Sequence, residues 1–418
     1  MDNKILAIVA VVVVVAAGGA AAFVMLGGGG KEKQPIDYGG ELKVYGNANE
    51  DSVIDQMDID YINAVIKGDK EKTTFSDANN DGKVDADDAA YVQNIIDRKD
   101  GTKIFYIDGA ENLANVTLPL NTFVVLANSP QLMANAVGLK APAILAYTKV
   151  DAVVFKNFEG AAVISDGLGD FETVTSNGIP DAVIVGSTTT CSDEVKALYD
   201  KAGVDIIHIA GMDGKESSSS ALTLGLLVGH IEQSQKYSKW CHDMLADIEA
   251  KVATIAKEKR HTGLIWYGAQ AAAGIGGSSG GQYTEAMQFA GVDTVADWEN
   301  YQVLKADNNT WLLNYHNEYM FRVYTMGYSV TDEARQAVYD KYAAMIDQTD
   351  AYKAGNYCVI DFTLPQILRI AYIAEFAYPD VFGAGYGDSW HQQLLDLEGI
   401  DYKANGQFLW TKDKAVTA

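Results

Sequence analysis

The stretch Glu232–Lys257, EQSQKYSKWCHDMLADIEAKVATIAK, constrains this chain more than any other. Apolar residues recur at three- and four-residue spacing through Tyr237, Trp240, Cys241, Met244, Leu245, Ile248, Val252 and Ile255, with neither Pro nor Gly between them. That spacing places them on one face of a single long helix. At 1.5 Å per residue the helix spans roughly 40 Å, long enough to reach across a domain. Ser217–Val228 reads as a second helix that breaks at Gly229. Short β patterns alternating with helical ones lie on both sides, which predicts an α/β fold of two lobes, largely parallel in their sheets, bridged by the long helix. Ligands in such sheets sit outside the carboxyl ends of the strands, so function is expected in a cleft between the lobes.

The expected strands are Lys103–Ile107, Val116–Leu118, Thr122–Leu126, Ala152–Phe155, Ala182–Val185 and Asp205–Ile209 on the first lobe, and Gly263–Tyr267, Phe321–Thr325 and Tyr357–Asp361 on the second. The candidate ligand-binding residues lie at or just past such positions: Ser129, Ser165, Ser187 and Thr188 on the first lobe, and Trp266, Tyr267, Ser278, Ser279, Arg322, Tyr328 and Trp390 on the second. Hydroxyl, glycine and aromatic content there suits a flat or chelated solute held by stacking and backbone donors. The same aromatics equally suit a core, and Arg322 equally suits a structural role.

Other chemistry is sparse. The six histidines and three cysteines are scattered, which argues against a metal cage in the cleft. Residues 274–281, GIGGSSGG, lack the Lys of a phosphate loop and the glycine spacing of a dinucleotide site. No G-x-S-x-G stands on a strand-to-helix turn, so an enzyme is not expected. With 56 acidic against 32 basic residues, net −24, the chain is a poor nucleic-acid partner.

Ile5–Leu26 is an uncharged apolar run long enough to cross a bilayer, and it leads through Gly27–Gly30 into a short polar linker. It is an export signal or a membrane anchor. Phe23-Val24-Met25-Leu26 beyond the small residues Ala20-Ala21-Ala22 favours the uncleaved anchor on the cell membrane. The flanking charges orient it only weakly; that the bulk of the chain is extracytoplasmic is expected mainly from the segments that follow.

Between this run and the lobes lies a duplication. Asn47, Asn49, Asp51, Val53, Asp55 and Asp58 recur 30 residues later as Asp77, Asn79, Asp81, Lys83, Asp85 and Asp88, each set followed by an apolar helical pattern in the same register. Side-chain oxygens at loop positions 1, 3, 5, 9 and 12, with a backbone carbonyl at 7, are what Ca²⁺ needs for six or seven oxygen ligands. Gly82 at position 6 of the second loop permits the sharp turn; Ser52 replaces it in the first, and Asn47 replaces the leading Asp. One or two Ca²⁺ ions are expected.

Two loop-helix units ending in Asp resemble a dockerin, the calcium module that docks onto cohesins. That resemblance implies a small all-α module and a cohesin-like partner. The positions that commonly meet the partner are Gln56-Met57 and Ala86-Asp87 here, and they do not match each other. A calcium-rigidified spacer is the other reading.

Beyond residue 101, KIFYIDGAENLANVTLPLNTFVVLANSPQLMANAVGL, PDAVIVGSTTTCSDEVKALYDKAGVDIIHI, SGGQYTEAMQFAGV and YIAEFAYPDVF resemble the class III periplasmic substrate-binding proteins of ABC transporters, of the iron-complex and cobalamin type. The resemblance implies two lobes on one bridging helix, a ligand between them, and delivery to an ABC permease. The solute implied is a ferric chelate or a tetrapyrrole such as cobalamin or haem. In that family a Glu on each lobe meets the permease. Glu285 matches the second, whereas Leu132 stands at the first position. The expected organisation is anchor and linker over 1–37, calcium module 38–100, first lobe 101–230, bridging helix 231–259 and second lobe 260–418. The alternative function is a surface scaffolding protein that uses its dockerin-like module and has lost transport.

Overall fold

The capping boxes of the duplicated segment set its helices. A computed structural model describes residues 37–148, 151, 153–165, 167–210, 214–267, 282–294 and 310–412. The apolar run Ile5–Leu26 and the candidates Ser278 and Ser279 lie outside these, as does the side chain of Tyr267. No helix among the described residues is long and apolar enough to cross a membrane. Helices α1 (Gln56–Lys67) and α2 (Ala86–Ile96) each start at an Asp cap whose amide is bonded in return by the Asp three residues on. Their inner faces close a small core of Ala48, Ile62, Ala78 and Val92.

This helix pair is built into the rest of the molecule. Strands β1 (Lys103–Ile107) and β2 (Leu113–Thr117) form an antiparallel ribbon. Residues 43–45 run along its free edge, with Val44 bridging Tyr106, the Tyr45 amide on the Phe105 carbonyl and the Ile107 amide on that of Lys43, both at 2.9 Å. Leu42, Val44 and Ile95 therefore share one core with both lobes.

The first lobe holds β3 (Phe123–Val125), α3 (Asn128–Ala136), β4 (Ile144–Thr148), β5 (Ala162–Ile164), α4 (Phe171–Thr175), β6 (Ala182–Gly186), α5 (Asp193–Ala202) and β7 (Asp205–Ile209). Its sheet is wholly parallel in the order β5-β4-β3-β6-β7. The direction of winding reverses between β3 and β6, where such sheets open a crevice at their carboxyl edge. Residues 153–155 are a turn, not the expected strand. Asp151 explains this: its carboxylate accepts the Val153 amide at 2.9 Å and its carbonyl that of Phe155, a local alternative to a ladder.

Helices α6 (Ser217–Val228) and α7 (Ile231–Val252) form the central layer. Nearly every residue of α6 is buried, as expected of a helix covered on all sides. Gly229, at φ +80°, ends it as expected. Its partner Gly225 lies where a Cβ would strike Ser234, so the two helices cross in close contact. The long helix ends at Val252, five residues early. There Thr254 turns its hydroxyl onto the Lys251 carbonyl at 2.7 Å, and the Thr254 and Ile255 amides make tighter three-residue bonds. At 22 residues α7 is about 33 Å long.

The second lobe comprises β8 (Gly263–Tyr267), α8 (Gln282–Phe289), β9 (Tyr319–Tyr324), α9 (Asp332–Ala343), α10 (Asp350–Lys353), β10 (Tyr357–Asp361), α11 (Gln366–Ala377), α12 (Pro379–Phe382), α13 (Tyr386–Glu398) and β11 (Leu409–Thr411). The sheet runs β11-β10-β9-β8, parallel except for β11. Helices α11 and α13 pack on α7, which joins the cores of the two lobes.

Candidate functional site: the carboxyl edges of the two sheets

Where β9 ends, the chain turns through Met326, Gly327, Tyr328 and Ser329, and four consecutive amides point at carboxylates. Asp361, at the end of β10, accepts the Met326 amide at 3.2 Å and the Gly327 amide at 2.7 Å, and also the amide and hydroxyl of Thr363. It is fully buried, and burial pushes its carboxyl up. The next two amides belong to the other lobe's partner. Asp151, past β4, accepts those of Tyr328 and Ser329 at 2.6 and 3.2 Å through one oxygen, Oδ2. Gly327 has φ +90°, and a Cβ there would stand 2.7 Å from that oxygen, so the approach needs glycine.

Behind this turn Arg335 is fully buried. Its guanidinium donates to the Gly327 carbonyl at 2.6 Å and to Gln407 Oε1 at 3.1 Å, while the exposed Asp332 is 3.9 Å away. A buried cation thus backs a row of inward-pointing amides, a concavity that favours negative charge.

The candidates named from the sequence fall into three groups. On the first lobe Ser129 and Ser187 are half-buried, and Ser165 and Thr188 exposed, on the segments that leave β3, β5 and β6. They stay at the sheet's carboxyl edge. Trp266 and Arg322 do not. Trp266 is 2% exposed and stacks on Tyr357. Arg322, 1% exposed, donates to the Trp266 carbonyl and the Tyr342 hydroxyl, with its guanidinium 4.1 Å from the Tyr342 ring centre. Strand alternation turns both into the core under α9, away from a solute. Trp390 is half-buried on α13 beside Tyr386.

Tyr328 keeps its place at the site by its backbone alone. Its ring is 7% exposed, packed on Tyr402 and Phe408, and its hydroxyl lies 2.8 Å from His391 Nε2. His391 Nδ1 is 3.1 Å from the Tyr372 hydroxyl, which donates to Asp388 at 2.7 Å. Burial holds the imidazole neutral, pushing its pKa down to about 3. Because the Tyr372 proton goes to a carboxylate, its oxygen must accept from Nδ1–H, and Nε2 must accept from Tyr328.

Glu285 is exposed on α8, and Leu132 is buried in α3. Sequence reasoning missed Asp151, Asp361 and Arg335. Gly327 carried the one available signal, a glycine directly past a strand.

The duplicated loops are each curled by their own oxygens. In the second, Asp77 accepts the Asp81 and Gly82 amides at 3.0 and 2.8 Å, Asn79 that of Asp81 at 2.9 Å, Asp81 that of Lys83 at 3.0 Å, and Asp88 those of Asn79 and Asp85. In the first, Asn49, Asp51, Asp55 and Asp58 repeat the pattern. Asn47 is fully buried; its amide group donates to the Leu42 and Asp51 carbonyls, and its Oδ1 has no partner. Burial, opposed by two backbone bonds and reinforced by the charges of Asp51 and Asp55, pushes Asp58 up to about 7. Among the described residues no three His, Cys, Asp or Glu side chains converge on one metal-sized point.

Two α/β lobes joined by a helical layer, with their carboxyl edges in contact through Asp151, form an architecture that solved structures share. No protein-family model matches the sequence, and no curated protein sequence does. Among solved structures, an ABC transporter solute-binding protein from Sulfurospirillum deleyianum superposes with a TM-score of 0.52 at 13% identity, over 71% of this chain and 95% of its own. A periplasmic solute-binding protein from Veillonella parvula gives 0.54 at 11% identity over 73% and 97%. The molybdate-binding periplasmic protein MolA of Haemophilus influenzae, with molybdate bound, gives 0.51 at 14% over 72% and 99%. At these identities the likeness is one of fold.

Proposed function

We propose that the chain is an extracytoplasmic solute-binding protein of an ABC importer, anchored by Ile5–Leu26, that captures a metal chelate between its lobes and hands it to a permease. The observation that carries this reading is the polar meeting of the two carboxyl edges, Asp151 of one lobe on the Tyr328 and Ser329 amides of the other. A ferric chelate is favoured over a tetrapyrrole. Stacking on a macrocycle needs accessible rings, and those of Trp266 and Tyr328 are enclosed. Backbone amides and the hydroxyls of Ser129, Ser187 and Thr188 suit a polar, oxygen-rich ligand. Glu285, exposed on its helix, is the proposed permease contact.

The duplicated loops are proposed to hold Ca²⁺. Asn47, Asn49, Asp51, Asp55 and Asp58 with the Val53 carbonyl, and Asp77, Asn79, Asp81, Asp85 and Asp88 with that of Lys83, are all-oxygen sets suited to a hard cation. Their fit is supported by the unpartnered, buried Oδ1 of Asn47 and by the enclosed negative charge around Asp58. A bound Ca²⁺ would supply a rigid turn and cancel that charge. A cohesin-like partner would have to use the outer faces of α1 and α2, since the first loop is turned onto the body.

The test is to incubate the purified chain with ferric citrate, haemin or cyanocobalamin, remove free solute, and take the visible spectrum with metal analysis. Iron retained without a haem band is the expected result. A retained haem or corrin band would replace the chelate by a tetrapyrrole, and no retention of any of the three would count against solute capture.

A further inference from the structure

The turn after β9 offers more donors than its own lobe uses. Asp361 satisfies the Met326 and Gly327 amides from within the second lobe, whereas among the described residues the Tyr328 and Ser329 amides are satisfied across the cleft, by Asp151 Oδ2. Asp151 is tied to its own lobe through Oδ1, which takes the Val153 amide. Any separation of the lobes therefore strips the carboxylate from these two amides. Ser329 is exposed, so this end of the turn lies at the surface.

The local electrostatics favour another anion there. Arg335 is buried behind the turn with its guanidinium on the Gly327 carbonyl, part of the same peptide as the Tyr328 amide, while Asp361 holds the Met326 and Gly327 amides. Without Asp151 the buried Arg335 is left with the buried Asp361 and with Asp332, which is exposed and screened by water 3.9 Å away, and two oriented N–H donors lose their partner. On a chain of net charge −24, oriented backbone donors with a buried cation behind them are a local exception to the overall negative field. Gly327 completes the shape, since any side chain would fill the space the oxygen occupies.

We propose that the Tyr328 and Ser329 amides form an anion subsite for a carboxylate group carried by the captured solute, and that Asp151 competes for it from the opposite lobe. The proposal deepens the solute-binding reading and rests on it. It assigns the solute a free carboxylate, or an oxyanion of similar shape, on the side that meets the second lobe. Asp151 thereby sets a threshold: only a group that accepts from both amides better than the internal carboxylate takes its place.

Acetate is the probe. The full chain is labelled with ¹⁵N-tyrosine, and the Tyr328 amide is assigned by its loss in Tyr328→Phe. In Asp151→Ala, acetate should shift this resonance downfield saturably, about tenfold or more tighter than in the native chain, because the competitor is gone. Chloride at matched ionic strength should not. No saturable shift in Asp151→Ala, with the other tyrosine amides at their native positions, would overturn the subsite. Should Asp151→Ala fail to fold, Asp151→Asn preserves shape and removes the charge. A tighter acetate response than native is then expected, and a response identical to native would overturn the proposal. Solute retention is read separately, so acetate binding without retention leaves the anion subsite and removes the transport reading, and retention without an acetate shift does the reverse.

Discussion

His391 has both ring nitrogens committed inside the second lobe, and Tyr328 supplies the donor that its Nε2 requires. Tyr328→Phe would leave a buried acceptor unpaired, a loss of about 1–3 kcal/mol in chemical denaturation. Glu398, in the last turn of α13, makes a different residue-scale statement. Its carboxyl lies near Asn135, Tyr237 and Tyr328, and burial pushes it up to about 8, against the hydrogen bond from Asn135. The folded value is above the unfolded one of about 4.3, so the stability due to the neutral acid is full below that pH. It is lost as pH rises toward 8. Glu398→Gln should therefore show a flatter fall in Tm between about pH 5 and 8 than the native chain. An unchanged pH slope would mean that the carboxyl is solvated.

At the scale of elements, the two departures of the first duplicated loop from the second share one cause. Ser52, where the second loop has Gly82, donates to the Gly40 carbonyl at 2.6 Å and accepts the Tyr38 amide at 3.0 Å. Asn47, where the second has Asp77, donates to the Leu42 and Asp51 carbonyls, which a carboxylate cannot do. Both substitutions bind the strap of residues 38–45, which continues onto the central helices through Glu41 to Ser219 and Ser238 to Tyr38. From the other end of the helix pair, Arg98 donates to the last carbonyls of α6, Leu226 and Leu227. Lysine and arginine at a helix C-terminus satisfy orphan carbonyls and the dipole together. Arg98→Ala should accelerate hydrogen exchange at the α6–α7 elbow around Gly229 while leaving the β10 amides protected. Equal exchange at both places in native and variant chains would refute this bracing.

For the whole molecule, the consequence is that the duplicated loops and the two lobes form one body, on which the proposed calcium and solute would both act. Residues of the strap, both lobes and the central helices belong to a continuous core. Ca²⁺ at 100 times its dissociation constant should stabilise the full chain by about 2.7 kcal/mol. It should do so by raising a single thermal transition, where a spacer module would melt separately and earlier. Two transitions, only the first of which moves with Ca²⁺, would show that the helix pair unfolds alone.

Local order is what the sequence determined. The 3.6-residue apolar period of α7, the break at Gly229, the strands β1, β7, β8 and β10, and the 30-residue duplication all follow from spacing and turn chemistry between near neighbours. Even there, Thr254 ended α7 early, and Asp151 turned an apolar run into a loop, because side chains competed with the backbone for its own bonds. Tertiary structure alone decided which side chains meet. Trp266 and Arg322 stand on strands beside the cleft, and only the placement of α9 shows that they face the core. Asp151 and Tyr328 are 177 residues apart, and no local pattern couples them. Their meeting depends on how two sheets and a helical layer pack, a property of burial summed over the whole chain.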